Sequence, residues 1–389
     1  MDKNKILRKI FKVFNPINAV LPKNKNTIVF YSNLGFRDNV KALYDYCIEH
    51  SYNKKYKIVC VCPDYEKFSK NLKPNVKFVG NKHGILFFLR SKYFFYSFGK
   101  YPIKPAKNQI VINLWHGTPL KTIGMFNNNE EHLEQNFFTY VLAASPYFVP
   151  VMAKSFGVKE DKVFLCGHAR NDKMFSRKKG LDDKFHFSSF SKTIFWLPTY
   201  KKMNARRADT EYHTTETALP VFETWSDLSS LNDFLSENNI LLLIKLHPLQ
   251  EWNDGKTENN YSNIQFFSQK RFEKENLDLY EMLAYTDALI TDYSSVYFDY
   301  LLKNKPIGFT ITDLDAYKDT RGFVFDDPLN YMPGEKILNR EDFVKFITDC
   351  KDGIDEYADD RNRVNDLCNY YKDDRNSKRI LDFVGIDDE

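Results

Sequence analysis

The sequence predicts an α/β protein made of two doubly wound, Rossmann-like domains, and three observations carry that prediction. Short apolar runs rich in β-branched and aromatic residues alternate with helical stretches along the whole chain. Several runs are apolar on both faces, as a strand must be when helices cover both sides of its sheet. The runs also fall into two successive series, and 389 residues are enough for two separate cores.

The elements follow in order. Residues 1–25 hold seven Lys/Arg (Lys3, Lys5, Arg8, Lys9, Lys12, Lys23, Lys25) against one acid, Asp2. In "NKILRKIFKVFNP" the apolar residues Ile6, Leu7, Ile10, Phe11, Val13 and Phe14 recur at helical spacing, and Pro16 is expected to stop the pattern. A basic amphipathic helix suits an anionic membrane surface, and it can equally pack on the protein's own body. Arg8, Lys9 and Lys12 interrupt the apolar run, so it reads neither as a signal-peptide core nor as a spanning helix.

The first strand series is "TIVFYS", "YKIVCVC", "VKFVG", "KYFFYSF", "QIVINLW", "YVLAAS" and "KVFLCG". The polar stretch Ser176–Ser191, "SRKKGLDDKFHFSSFS", is the best linker candidate. The second series is "TIFWLP", "ILLLIKLHP", "IQFF", "ALITDY" and "PIGFT", with helices at "LDLYEMLAYT" and "SSVYFDYLLKN". The organisation that follows is a basic amphipathic, membrane-associating segment at 1–24, a first Rossmann-like domain at 25–185 and a second at 186–389.

Composition narrows the function classes. Six cysteines, none in a CxxC pair, argue against a zinc site or a secreted disulfide frame and fit a reducing cytoplasm. Cys60 and Cys62 alternate within one strand and read as small apolar fillers. The basic excess lies at the N-terminus and not across a domain, which disfavours nucleic-acid binding. No GxGxxG follows the early strands, which disfavours a dinucleotide dehydrogenase.

In doubly wound sheets ligands bind beyond the carboxyl ends of the strands, so the residues just after each apolar run are informative. "NLWHGTPLKTIG" places His116 and Gly117 in such a turn, with Thr118 and Pro119 arranged to open a helix. Most buried histidines are satisfied structural residues, and His116 alone would be read that way. "LLLIKLHP" puts Lys245 and His247 on one strand face, where a lysine among leucines needs water or an anion. "LITDYSSVYFDYLLKNKP" ends a strand at Asp292 and opens a helix at Ser294 and Ser295, an arrangement that can cap the helix or bind phosphate. "KVFLCGHARND" sets Arg170, Asn171 and Asp172 after a strand, where an Arg–Asp pair can also brace the loop.

Taken together and in this order, the stretches "LWHGTPLK", "GHARND", "LPTYK", "KLHP", "DYSSVYFDYLLKNKPIGF" and "YKDTRGFVFDDPLNYMPGE" resemble the CDP-glycerol glycerophosphotransferase family, over roughly residues 110–340. That family primes or polymerises teichoic acid and some phosphate-containing capsules. Two departures stand out: Ala169 where the family usually shows Pro, and Lys201 where Arg is common. Lysine keeps the charge and loses the bidentate fork.

The resemblance implies a GT-B fold with the active site in the cleft between two Rossmann-like domains, the first on the acceptor side and the second binding the CDP-polyol. It implies transfer of glycerol phosphate from CDP-glycerol to a hydroxyl, with CMP leaving. An attacking alcohol must lose a proton, and His116 fits the general base. His247 is the second catalytic candidate. Gly117, Thr118, Arg170, Asp172, Lys245, Asp292, Ser294, Ser295 and Arg321 of "DTRGF" are candidates for holding substrate, with fixed donors and cations for the pyrophosphate. No carboxylate cluster has metal-ligand spacing; "DLD" at Asp313–Asp315 lies in the wrong context, and Mg²⁺ enters only because the donor is a diphosphate. The implied acceptor is an undecaprenyl-linked saccharide or growing polymer, so the enzyme would sit on the cytoplasmic face of the membrane, which gives the basic N-terminus a purpose. CDP-ribitol as donor, a GT-B glycosyltransferase using a nucleotide sugar, and a non-catalytic scaffold are the rival readings. The last would be expected to lack His116 or His247.

Overall fold

The computed structural model describes residues 10–126, 136–198, 216–217, 219–246, 261–311 and 322–387. The chain forms two compact units, Met1–Lys173 with Leu367–Glu389, and Met174–Asp366.

In the first unit a seven-stranded parallel sheet runs in the order β3-β2-β1-β4-β5-β6-β7. Its strands are β1 (Asn24–Tyr31), β2 (Lys57–Val61), β3 (Val76–Val79), β4 (Ser91–Tyr96), β5 (Ile110–Asn113), β6 (Tyr140–Ala143) and β7 (Val163–Leu165). The helices that matter are α1 (Phe14–Val20), α2 (Asp38–Glu49), α3 (Asn81–Arg90) and α4 (Phe148–Phe156). One face of the sheet buries Ile28, Phe30, Ile58, Cys60 and Ile112 against Val40, Leu43 and Cys47 of α2. Across the other, α3 packs so closely that a Cβ on Gly84 would meet Val61 and the Tyr101 hydroxyl at 2.3 Å, which only glycine avoids. All six cysteines are buried.

The second unit repeats the plan: β10-β9-β8-β11-β12-β13, all parallel. Here β8 is Lys192–Trp196, β9 Ile240–Lys245, β10 Ile264–Phe267, β11 Ala288–Thr291, β12 Ile307–Thr310 and β13 Glu335–Ile337. Helices α5 (Trp225–Glu237), α6 (Val296–Tyr300) and α7 (Arg340–Asp352) follow in chain order. Leu228, Leu231 and Leu235 of α5 and Phe343, Phe346 and Ile347 of α7 bury Trp196, Leu242, Ile244 and Ile290. In both units strand order reverses beside the first strand, at β1/β4 and at β8/β11. These are the positions where doubly wound sheets hold ligands.

Four expectations change. Pro16 lies inside α1 and does not end it, because a proline in the first turn removes no intrahelical bond. Ser176–Ser191 is no linker: Leu181, Phe185 and Phe187 are buried, with Phe185 against Phe267 and Phe187 4.7 Å from Tyr285. The units therefore divide at Met174 and not at 185/186. The chain's last stretch also leaves the second unit. Helix α8 (Asn376–Phe383) adds Ile380 and Leu381 to the first core, and Phe383 stacks on Phe164 of β7 at 3.8 Å.

Candidate active site

The carboxyl end of β5 carries a constrained turn. Trp115 has φ +53° and Gly117 φ +131°. A tryptophan in left-handed conformation costs roughly 1–3 kcal/mol and persists only where its surroundings over-determine it. They do so here. The Asn113 side chain accepts the Trp115 N–H at 3.0 Å, and Asn39 donates to the Trp115 carbonyl at 3.0 Å. Asn39 also accepts the Arg170 N–H at 3.1 Å and lies 3.3 Å from His168 Nδ1. The Arg170 guanidinium donates to the His116 carbonyl at 3.1 Å and to Asp38 at 2.6 Å. Asp38, at the start of α2, is itself left-handed, with φ +64°. Loops after β1, β5 and β7 are thus tied into one brace, and the brace fixes the backbone that presents His116.

The His116 ring lies between Trp115, 3.9 Å away, and Phe98, 5.0 Å away. Burial holds its pKa below the ordinary imidazole value; Asp38 pulls upward, Arg170 downward and the Ser97 backbone upward. The ring is accordingly neutral near pH 7, the form a general base requires. It borders a cavity of about 360 Å³ whose wall includes Tyr96, Ser97, Phe98, Trp115 and Ser155. Those residues come from the ends of β4 and β5 and from α4, beside the reversal point of the first sheet.

Other predicted residues of this unit take different places. No helix opens at Pro119: residues 117–123 are irregular and lead to a short 3₁₀ turn at Gly124–Phe126. With Leu120 buried in this loop, Thr118 caps nothing, and its hydroxyl is buried without a hydrogen-bond partner. Arg170 and Asp172 do not pair. Arg170 turns to Asp38, while both Asp172 oxygens accept N–H groups at the start of α8, from Asn376 at 3.0 Å and Ser377 at 2.7 Å. Burial nevertheless pushes the Asp172 carboxyl up to about 6, against the lowering effect of those bonds. Asp172 anchors the returning chain.

In the second unit Lys245 ends β9 with its ammonium 3.4 Å from the Gln269 amide oxygen and 5.0 Å from the Phe272 ring centre. Asp292 is buried at the end of β11. Ser294 and Ser295 precede α6, and the Ser295 side chain makes no capping bond, while both residues are half-buried. His247, Arg321, Lys201, Asp313 and Asp315 lie outside the described residues. Among the described residues, no three His, Cys, Asp or Glu side chains gather to hold a metal ion, so no residue is assigned to Mg²⁺.

Sequence reasoning missed Asp38, Asn39, Tyr96, Ser97 and Ser155. The signal for the first two was available: "SNLGFRDN" is itself a strand end, with Asp and Asn where the next helix starts.

The sequence pattern of the CDP-glycerol:poly(glycerophosphate) glycerophosphotransferase family matches residues 13–385. The chain belongs to this family. Among similar glycerophosphotransferase-family proteins is a teichoic acid poly(glycerol phosphate) polymerase of Bacillus spizizenii, 26% identical over 99% of this chain and 98% of that one. A teichoic acid glycerol-phosphate transferase of Staphylococcus aureus is 27% identical over 87% of each. The wall teichoic acid polymerase TagF shares the fold, with a TM-score of 0.73 at 20% identity over 99% of this chain and 94% of that one. TagF has also been solved as a His→Asn variant with CDPG. The fold class is therefore α/β, two Rossmann-like units of GT-B type, and the chain is an enzyme of the glycerophosphotransferase family. Among the described residues, no helix is long and apolar enough to cross a membrane.

Proposed function

We propose that this enzyme transfers glycerol phosphate from CDP-glycerol to a hydroxyl of a membrane-linked acceptor in teichoic acid or capsule synthesis. The acceptor oxygen attacks the phosphorus that bears glycerol, the pyrophosphate P–O bond breaks, and CMP leaves. The hydroxyl proton passes to His116. The observation that carries this reading is the braced turn, which spends backbone strain to hold one neutral imidazole beside a cavity. Ser294 and Ser295 supply hydroxyl donors to the pyrophosphate, with Asp292 ordering their loop. His247, Lys245 and Arg321 are the proposed partners for the charge that develops on it.

CDP-ribitol is the second donor reading. A teichoic acid poly(ribitol-phosphate) polymerase of Bacillus spizizenii is 26% identical over 98% of this chain, although the match spans 60% of that protein. The undecaprenyl-linked form of the acceptor places the enzyme on the cytoplasmic membrane face. Helix α1 and the residues before it support that placement, because Ile10, Val13, Ile17 and Val20 form an exposed apolar stripe at helical spacing. Asn18, on the opposite side, is buried and bonded to Lys104 and Gln109.

The test is CMP release from CDP-glycerol, CDP-ribitol and UDP-sugars in turn, with a lipid-linked saccharide acceptor and a His116→Ala control. CMP from CDP-glycerol that vanishes in the variant is the expected result. Turnover of a UDP-sugar alone would replace this reading with a glycosyltransferase.

A further inference from the structure

A larger cavity, of about 820 Å³, opens at the amino edge of the first sheet, where Lys23, Lys57 and Arg90 line it together with Leu21, Leu86 and Phe87. Lys57 starts β2 and Arg90 ends α3. Lys23 is already committed. Its ammonium donates to the Asn18 carbonyl, the Asn18 side chain and the Leu89 carbonyl at 2.8, 2.7 and 2.5 Å, which pins α1 to α3. Lys57 and Arg90 are exposed, and among the described residues neither forms an ion pair. A third cation stands beside them: Lys57 lies 5.6 Å and Lys77 6.0 Å from the Phe87 ring centre. Among the described residues no carboxylate lines the cavity. The sequence is as one-sided, since residues 3–37 and 67–129 hold no Asp or Glu. The basic excess read at the N-terminus thus extends through this unit.

Such a site takes an anion, and its apolar half says which kind. Leu86 is 62% exposed and Val20 81%, and Val20 continues the stripe of Ile10, Val13 and Ile17. Leu21 joins that stripe to the cavity wall. Exposed aliphatic side chains beside cations without a carboxylate match the boundary of an anionic bilayer. Acyl carbons cover the first and headgroup phosphates meet the second. A nucleic acid or a free phosphopolymer would meet the cations and leave the aliphatic side chains in water. The same layer reaches towards the His116 site. Phe11 stacks on Tyr101 at 6.2 Å, and the Lys104 N–H donates to Asn15 at 2.9 Å. Tyr101 follows Lys100, which lines the His116 cavity.

We infer that this cavity binds the headgroup phosphate of an anionic phospholipid, held by Lys57 and Arg90, with Leu86, Phe87 and Val20 against its glycerol and first acyl carbons. Helix α3 then joins α1 as a second element of the membrane face. The inference rests on the membrane placement proposed above and names its lipid class and its site. It also makes the contact selective for charge, whereas an apolar stripe alone would take a neutral bilayer equally well.

The test is co-sedimentation of the full chain with vesicles of phosphatidylcholine, and with vesicles of phosphatidylcholine and phosphatidylglycerol in equal parts. The wild type should prefer the anionic vesicles at least about tenfold. Lys57→Gln with Arg90→Gln should lower affinity for them about thirtyfold, the worth of two cations at an anionic surface. The control is Lys70→Gln with Lys159→Gln, which removes the same charge from exposed positions of the same unit outside the cavity. It should cost no more than about threefold, because charge beyond a Debye length is screened. Equal losses in the two pairs, or equal affinity of the wild type for both vesicles, overturn the inference. Displacement of the wild type from the vesicles by soluble glycerol phosphate also overturns it, since a free phosphate would then be the ligand. Leu86→Ser changes no charge and should weaken anionic-vesicle binding about tenfold; unchanged affinity there counts against the site. Melting temperatures equal to wild type show that these exposed substitutions leave the fold intact. The two readings fail separately. A wild type that binds neither vesicle removes the membrane placement together with the site. Anionic-vesicle binding that the cavity pair leaves intact keeps the placement and removes the site.

Discussion

The two sheets share the order of their first six strands, the first sheet adding β7 at its edge, yet their reversal points are built to opposite designs. At the first, a left-handed tryptophan, a buried asparagine and a buried arginine lock a single histidine in place. At the second, two serines stand before a five-residue helix with no side-chain cap from Ser295. In the proposed reaction His116 is a base that must meet one proton at one distance, and an over-determined turn suits that role. If Ser294 and Ser295 bind the pyrophosphate as proposed, a hydroxyl not committed to capping the helix is free to meet it. A shared reversal of strand order therefore constrains where chemistry can sit and leaves open how rigidly it is held.

The sharpest way to break this comparison is His116→Ala. It is expected to lower CMP release by about 10²–10⁴-fold, the usual worth of a general base, with the fold intact by circular dichroism. Residual activity within tenfold of wild type would remove His116 from that role. The next is Asn39→Ala, which leaves the Trp115 carbonyl and the Arg170 N–H without their partner. One buried and one half-buried group left unpaired cost about 2–4 kcal/mol together, and the melting temperature should fall by about 5–10 °C along with kcat. Ser294→Ala with Ser295→Ala should raise the KM for CDP-glycerol about tenfold and leave the melting temperature unchanged. A drop in stability as large as that of Asn39→Ala would erase the distinction between the two designs.

Smaller effects sharpen it. Because burial lowers the His116 pKa, the acid limb of kcat/KM should lie below pH 6.5, with activity rising as pH increases through that limb and then levelling. A limb above 6.5 contradicts the assigned environment. Asp172 supplies a stability counterpart. Its folded pKa of about 6 exceeds its ordinary value of 3.8, so between those values the native state binds more protons than the unfolded one. Its contribution is most favourable below about pH 4 and declines as pH rises to about 6. Asp172→Asn should flatten that part of the stability–pH curve.

How much of this was legible beforehand follows from the physics of each signal. Strands buried on both faces announce themselves, and all twelve expected runs, from "TIVFYS" to "PIGFT", are strands here. The thirteenth, Glu335–Ile337, is three residues long, charged and at the sheet's edge, so no apolar run betrays it. His116 could be read because it follows a strand. Its brace could not, since Asn39 and Arg170 are 131 residues apart in sequence and meet only in the folded sheet. The apparent helix after Thr118 misled because Thr-Pro resembles a helix start, whereas Leu120 is drawn into the core of the loop. The second catalytic candidate, His247, stays a sequence-level proposal.

The return of α8 to the first sheet changes how the molecule must be made. The first unit is discontinuous: its core needs Ile380, Leu381 and Ile386, which are synthesised after the whole of the second unit. A nascent chain can close the second unit, Met174–Asp366, while the first still lacks a wall. The Asp172 carboxylate, poised at the exit from β7, then waits some two hundred residues of synthesis for the N–H groups it binds. The half that carries the strained histidine turn can thus be completed only after the chain of the half that resembles it has been made.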